Sequence, residues 1–406
     1  MLALVTVSLS LTFDLREERI ARVSGGTSTG TGTAFDEIQQ TFYSDAINLK
    51  AGHMIFTFPR DTPLPMPSGT FAITGIVGDI VYADTHKPAP LSTLYDHHWT
   101  IKSSNHRNAL CKGGLEYIFG IGAESRNSPV NFPVGYGYVV SEGTRWGANI
   151  HLLRTEGLSG SNPFQAAKEC NECYFAESKG GACTPEQNGT FACCGENDSA
   201  GVMSCPTIPN PPPPRSYRLR YTMSFTTNVS AITPVHIGTM SAPNCATFYS
   251  ALRDDVNPVH HVSYSIRIAA RLDLLFAVGH LHTGGLNITL SKNGQLLCTS
   301  LPTYGTQPGV PGDEKGYLVR MSPCLEGGSG PVELYRGDVV SIDGYYYVGS
   351  NDTRLLYSDG THLNVMAYMY TVYTRPPASV DNDEDAEFWQ HTQAAPLLPG
   401  QLPEGW

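Results

Sequence analysis

The run VSYSIRIAARLDLLFAVGHLH (residues 262–282) decides how this chain is read. Its first part alternates Val262, Tyr264, Ile266 and Ile268 with Ser263, Ser265 and Arg267, the period of two that turns one face of a strand towards a core. It ends in His280-Leu281-His282, where the same period points both imidazoles to one side of a sheet. Short strand-like segments recur on either side of it: FAITGIVGDIVYA (71–83), YGYVV (136–140), WGANIHLL (146–153), SYRLRYTMSF (216–225), LNITLSK (286–292), DVVSIDGYYYV (338–348) and LNVMAYMYTVY (363–373). Such spacing, with turn residues between, belongs to antiparallel sandwiches, so the expected fold class is all-β.

Composition agrees. Among 406 residues, Gly (41), Pro (29) and Tyr (21) are plentiful while only 16% are charged, which suits short strands and many turns. The length allows two or three domains. A net charge of −11 with no block of Lys or Arg argues against binding nucleic acid or an anionic membrane surface. Ten cysteines, an even count, point to disulfides in an oxidising compartment. Sequons at Asn188, Asn197, Asn228, Asn287 and Asn351 point the same way and predict N-linked glycans. The opening MLALVTVSLSLTF is apolar and of signal-peptide length, but lacks a basic flank and a clear cleavage site. It reads as a truncated signal or as a first strand. No other segment approaches the roughly 20 apolar residues of a transmembrane helix. The expected location is extracellular or in the secretory pathway.

Residues 1–34 are read as a candidate signal segment and linker, because GGTSTGTGT (25–33) has linker composition. Residues 35–242 form the first domain. Within it, residues 157–214 break the strand rhythm with six cysteines (Cys170, Cys173, Cys183, Cys193, Cys194 and Cys205) and end in PNPPPP. This is expected to be a disulfide-stapled insertion, since the SYRLRYTMSF that follows needs a sheet to join; a short helix is expected near Pro163–Phe175. The second domain covers 243–376. Residues 377–406 are acidic and Pro-rich and read as a disordered tail.

Two histidine sets carry the candidate chemistry. His97 and His98 stand in Asp96-His97-His98-Trp99, with His151 downstream in WGANIHLL. Neighbours on a strand point to opposite faces, so His97 and His98 reach one metal only at a strand end, a twist or a bulge. The second set is His280 and His282, given room by Gly279, Gly284 and Gly285. Met366 joins it from a strand on which Met366, Tyr368 and Tyr370 share one face and Met369 takes the other. Imidazole suits copper and a thioether favours Cu(I), which predicts two copper ions in unlike sites. The plain alternative is polar residues on sheet faces and a core methionine. His260-His261 is assigned to a turn after Pro258. Cys170-x-x-Cys173 with Cys183 and Cys193-Cys194 could mimic a zinc site, but disulfides suit a secreted chain better. No G-x-S-x-G, phosphate-binding glycine loop or H-E-x-x-H is present.

In order and context these pieces resemble the copper type II, ascorbate-dependent monooxygenases, the class of peptidylglycine α-hydroxylating and dopamine β-monooxygenases. The resemblance implies two jelly-roll domains with one copper each. It casts His97, His98 and His151 as ligands of an electron-storing copper, and His280, His282 and Met366 as ligands of an oxygen-activating one. Tyr370 would line the substrate pocket, with ascorbate as reductant. Over about residues 60–375 the chain also resembles the plant stress-up-regulated nodulin family, through LYDHHW, CKGGLEYIFGIGAESR, ECNECY, FACC, YRLRY, GHLHTGG and LLCTSLPTYG…GYLVRMSPC. Two positions depart from the amidating enzymes: Val278 stands where they carry a substrate-anchoring arginine, and Tyr368 where they carry an asparagine. The expectation is therefore an all-β chain of two antiparallel β-sandwich (jelly-roll) domains with a cysteine-rich insertion in the first. Its expected activity is hydroxylation of a C–H bond in an unidentified small-molecule, peptide or glycan substrate. The rival reading is a non-enzymatic matrix or cell-surface glycoprotein, or a copper-binding protein, on the same scaffold.

Overall fold

The structure, a computed structural model, describes residues 21–23, 36–111, 115–157, 184–191, 210–326, 330–349 and 361–376. The helix expected near Pro163–Phe175, the six cysteines of the insertion and the 377–406 tail lie outside the described residues. Within the stretch read as linker, Ala21–Val23 is an edge strand on Glu37–Tyr43. The described residues form strands and short 3-10 turns, with no α-helix among them.

The chain is all-β, and strand pairing changes partners near residue 235. Before that point, Arg215–Thr226 lies between Glu37–Tyr43 and Phe71–Tyr82, and Tyr136–Val140 extends the sheet beyond Phe71–Tyr82. Arg215–Thr226 shows the alternation that its sequence predicts: Tyr217, Leu219, Tyr221, Met223 and Phe225 are buried, and the residues between them less so. A second sheet runs Met54–Phe56, Trp146–Leu153, Tyr95–Arg107 and Leu115–Ile121. The two sheets face each other across Trp99, whose ring fills the place a side chain at Gly78 would need: a Cβ there would stand 2.4 Å from Cζ2. This is the first sandwich.

After residue 235, His236–Ser241, Ala367–Thr374, Leu272–Leu281 and Pro323–Glu326 make one sheet. Val259–Arg267, Val339–Tyr347, Gly285–Lys292 and Gln295–Ser300 make the other. Gly279 has to be glycine here, since a Cβ would stand 2.2 Å from Ile288 Cγ2 across this second sandwich.

Trp146–Leu153 is buried at every position. Trp146, Ala148, Ile150 and Leu152 face the core of the first sandwich, so the alternate residues, Asn149 and His151 among them, face the other way. The second sandwich packs against the first. Arg126 donates to Asp79 (3.2 Å) in the first and to Glu314 (3.2 Å) in the second. Glu314 is wholly buried and also accepts from the backbone N–H groups of Leu91 (3.1 Å) and Gly312 (2.9 Å). A buried carboxylate persists only with such a complement of donors. Asn108 donates to the carbonyl (2.9 Å) and the hydroxyl (2.7 Å) of Thr239. A disulfide, Cys111–Cys245, joins the sandwiches covalently, and Cys298–Cys324 lies within the second. No helix of the described residues is long and apolar enough to cross a membrane.

Cys111 and Cys245 are 134 residues apart in the chain. Replacing both by Ser should cost about 3–5 kcal/mol through the added freedom of the unfolded chain. Calorimetry should show a fall in Tm of several degrees; an unchanged Tm would mean that the non-covalent interface alone sets stability.

A candidate metal centre between the two sandwiches

Strands Tyr95–Arg107 and Trp146–Leu153 pair residue for residue until His98 meets His151; the next pair is Asp96 with Leu152. His97 is the extra residue of a β-bulge. A bulge turns its residue out of strict alternation, and here it brings His97 to the side that His98 and His151 occupy. One ring nitrogen from each of the three lies within 4.8 Å of the others. His97 Nδ1 and His98 Nδ1 are 3.1 Å apart, and the His97 and His151 ring centroids 4.4 Å.

Proton positions follow from the partners. Asn149 Nδ2 donates to Thr57 O (2.5 Å), which aims its amide oxygen at His98 Nε2 (2.9 Å). An amide oxygen only accepts, so His98 carries its proton on Nε2 and offers the Nδ1 lone pair to the cluster. Burial, with His97, His280 and His282 close by, holds His98 well below the ordinary histidine range, which keeps it a neutral donor.

The second set arrives from the other sandwich. His280, near the end of Leu272–Leu281, directs Nδ1 at Oε1 of the buried Glu124 (2.5 Å). The carboxylate accepts, so Nδ1 holds the proton and Nε2 is left as the donor atom. His280 and His282 have ring centroids 5.4 Å apart, and His282 meets His97 at 4.7 Å. The two sets predicted from separate domains are in ring contact across the interface. Gly122 makes the approach feasible, since a Cβ there would stand 2.4 Å from His97 O and 3.0 Å from His280 Cε1. Tyr346 OH accepts from the His282 N–H (2.7 Å) and donates to the Met366 carbonyl (2.5 Å), tying these two backbones together.

Met366 is buried in the break between Thr361–Val365 and Ala367–Thr374. It lines a cavity of about 270 Å³ together with His98, His280, Tyr368 and Tyr370. Met366, Tyr368 and Tyr370 thus share one face, as the sequence predicts. Tyr370 OH donates to Ile118 O (2.8 Å) in the first sandwich. Larger concavities, of about 710 and 510 Å³, contain none of these histidines.

Sequence reading did not single out Glu124, Asn149 or Asp96. Their signals were present: Asp96 opens the DHHW motif, and Glu124 stands in GIGAESR. Asp96 is buried with Oδ1 lacking any hydrogen bond among the described residues. Burial first, and then Glu124, push its carboxyl well above the usual range, against the pull of Arg126. His260 and His261 correct an expectation. They lie on strand Val259–Arg267 and not in a turn, because backbone pairing with Tyr345 and Tyr346 continues past Pro258. His261 pairs with Asp343 (2.7 Å) and stacks on Tyr345, away from the other histidines.

The imidazoles of His97, His98 and His151, each with a ring nitrogen within 4.8 Å of the others, fit a metal ion, and nitrogen donors with a nearby thioether suit copper. Residues 244–371 match the model of the family described as Stress up-regulated Nod 19, in agreement with the resemblance read from the sequence. Over 128 residues the chain is 27% identical to the probable copper-dependent oxygenase M1 of Phoma sp.. That match covers 32% of this chain and 31% of the relative, so the chain spans about a third of the relative's length. Among solved structures, PNGF-II is 8% identical, with 89% of this chain and 64% of that chain covered and a TM-score of 0.25. A β-porphyranase of Bacteroides plebeius is 9% identical, with 82% and 37% covered and a TM-score of 0.16. Nothing about this chain's fold or activity follows from likenesses so slight.

Gly122→Ala should force the His97 carbonyl to move and destabilise the metal-free protein by about 1–3 kcal/mol. Urea unfolding measures this directly, and a wild-type midpoint would mean that the backbone around His97 yields without strain.

Proposed function

We propose that the chain is a secreted, copper-dependent monooxygenase-like protein that hydroxylates a C–H bond of its substrate using O₂ and a one-electron reductant such as ascorbate. The observation that carries this reading is the meeting of His97, His98 and His151 with His280 and His282 across the interface, beside a cavity that Met366 lines. His97, His98 and His151 would hold one copper, and His280, His282 and Met366 a second. Copper, when bound, supplies one-electron redox chemistry and the means to activate O₂.

The chain's own residues set the conditions. Asn149 keeps a proton on His98 Nε2 and Glu124 keeps one on His280 Nδ1, so each ring presents its other nitrogen. The thioether of Met366 is the softest donor of its set and favours the reduced ion. Packing of one sandwich on the other shields the histidines from bulk water, which suppresses loss of reactive species. Tyr370, anchored to Ile118 O, forms part of the substrate wall. Val278 is buried opposite Tyr370, where the amidating enzymes carry their anchoring arginine, which disfavours a peptidylglycine substrate. The division into two domains near residue 235–243 and the secretory location belong to the same proposal, supported by the strand pairing and by the disulfides Cys111–Cys245 and Cys298–Cys324 among the described residues.

Protein reconstituted with excess copper and then desalted should retain two equivalents, falling to one in both His97→Ala and His280→Ala. No retained copper would overturn the reading and leave a glycoprotein scaffold whose histidines serve only its structure. Glu124→Gln should weaken copper at the second site about 10–100-fold in a chelator competition while leaving the first unchanged. A second-site affinity equal to that of the wild type would remove Glu124 from its positioning role.

A further inference from the structure

Strand Val259–Arg267 stands at the end of its sheet in the second sandwich: it pairs with Val339–Tyr347 on one side, and among the described residues no other strand pairs with it. At its start Pro258 O accepts from the Val348 N–H (2.9 Å), and just past its end the Ile268 N–H donates to Asp338 O (2.8 Å). The register between these points is unbroken. Even-numbered residues therefore turn their backbone groups towards Val339–Tyr347, and the odd-numbered ones, from Val259 to Arg267, turn theirs outward. Natural sheets blunt such an edge with a proline, a lysine, a bulge or a very short strand. This strand runs nine residues, pairs without a bulge, and its sequence VHHVSYSIR holds neither proline nor lysine. Val262, Tyr264 and Ile266 pack against the core yet are only half-buried. Residues 264–270 line a concavity of about 510 Å³. Neighbours on a strand send side chains to opposite faces, so a lining of consecutive residues means that the backbone edge itself borders that space.

We infer that this edge is where two copies of the chain join, antiparallel, about a two-fold axis at Ser263. In that register the outward backbone groups of the odd residues meet one another. Ser263 faces Ser263 of the second copy, His261 faces its Ser265 and Val259 faces its Arg267, which allows about ten main-chain hydrogen bonds. The even residues then oppose each other in the closer pairs, with Val262 against Tyr264 of the second copy, a β-branched side chain on an aromatic one. These are two of the side chains that the end of the sheet leaves half-buried. Charge selects the antiparallel sense. Arg267 is the one Lys, Arg, Asp or Glu on the strand. A parallel pair would set the two arginines side by side, whereas the antiparallel pair separates them by about 27 Å along the edge. Val259, which is 51% exposed, comes to the concavity that the other copy's Arg267 borders. A two-fold pairing consumes both edges at once and so closes at a dimer.

The test is sedimentation equilibrium of the full chain. A monomer–dimer equilibrium is expected with a dissociation constant on the order of 10 μM, the weak end for an interface of modest area. Ser263→Pro removes one outward N–H, a change that an edge strand tolerates, so the fold should persist by circular dichroism while the dimer is lost. Ser263→Lys sets two ammonium groups face to face across the axis and should weaken the dimer about tenfold, less at high salt. Ser263 is exposed, so the lysine variant carries the test even where the proline variant fails to fold. A chain still monomeric at about 300 μM would overturn the inference and leave the edge to a peptide of another protein. An assembly larger than a dimer, or a dimer that Ser263→Lys leaves unchanged, would overturn it too. Dimerisation at this edge involves none of the candidate metal donors, so its failure is separate from a failure of copper to bind.

Discussion

One extra residue of backbone governs this molecule's chemistry. Had the strand Tyr95–Arg107 paired regularly with Trp146–Leu153, His97 and His98 would point to opposite faces and one of them would be lost in the core of the first sandwich. The bulge at His97 removes that conflict. It is held from both sides. Trp99, fully buried, pins the strand into the core two residues later. On the outer side, His282 meets His97 from across the interface, and His280 reaches over from the same sandwich to Glu124 of the first. Without the second sandwich, Glu124 and Asp96 would also stand in a different dielectric, so the electrostatics of the first histidine set belong to the assembled pair of sandwiches.

Period-two patterning made most of the scaffold readable in advance. Arg215–Thr226 alternates as written, and Val339–Tyr347 does so with equal regularity. The bulge at His97 and the placing of the histidines were legible in part, because His-x-His on a strand and a His-His pair that needs a bulge to share one face have local consequences. What local pattern cannot convey is contact between distant segments. Glu124 and His280 are 156 residues apart, and nothing around either one names the other. The same holds for Arg126 and Glu314, which sit in different sandwiches. His260-His261 failed for a related reason: a proline two residues earlier suggested a turn, whereas pairing with Val339–Tyr347 carried the strand through.

The reach of the comparisons is instructive beside this geometry. The family match runs over residues 244–371 and includes His280, His282 and Met366, but not His97, His98 or His151. Half of the candidate donor set thus lies in sequence that the match does not cover. The part outside it is nevertheless the part that brings three ring nitrogens within 4.8 Å of one another. Ring contact between His97 and His282 joins the matched and unmatched segments into one arrangement, so neither is intelligible without the other.

The Cys111–Cys245 link has a kinetic meaning beyond its contribution to stability. A site shared between two bodies is ordinarily at the mercy of their separation, and re-forming it is a search. Tethered beside the interface, the second sandwich stays in the first one's neighbourhood, at an effective concentration of the order of millimolar. The chain itself, crossing from one sandwich to the other near residue 235, already holds the two together, and the bridge adds a second tether at the interface.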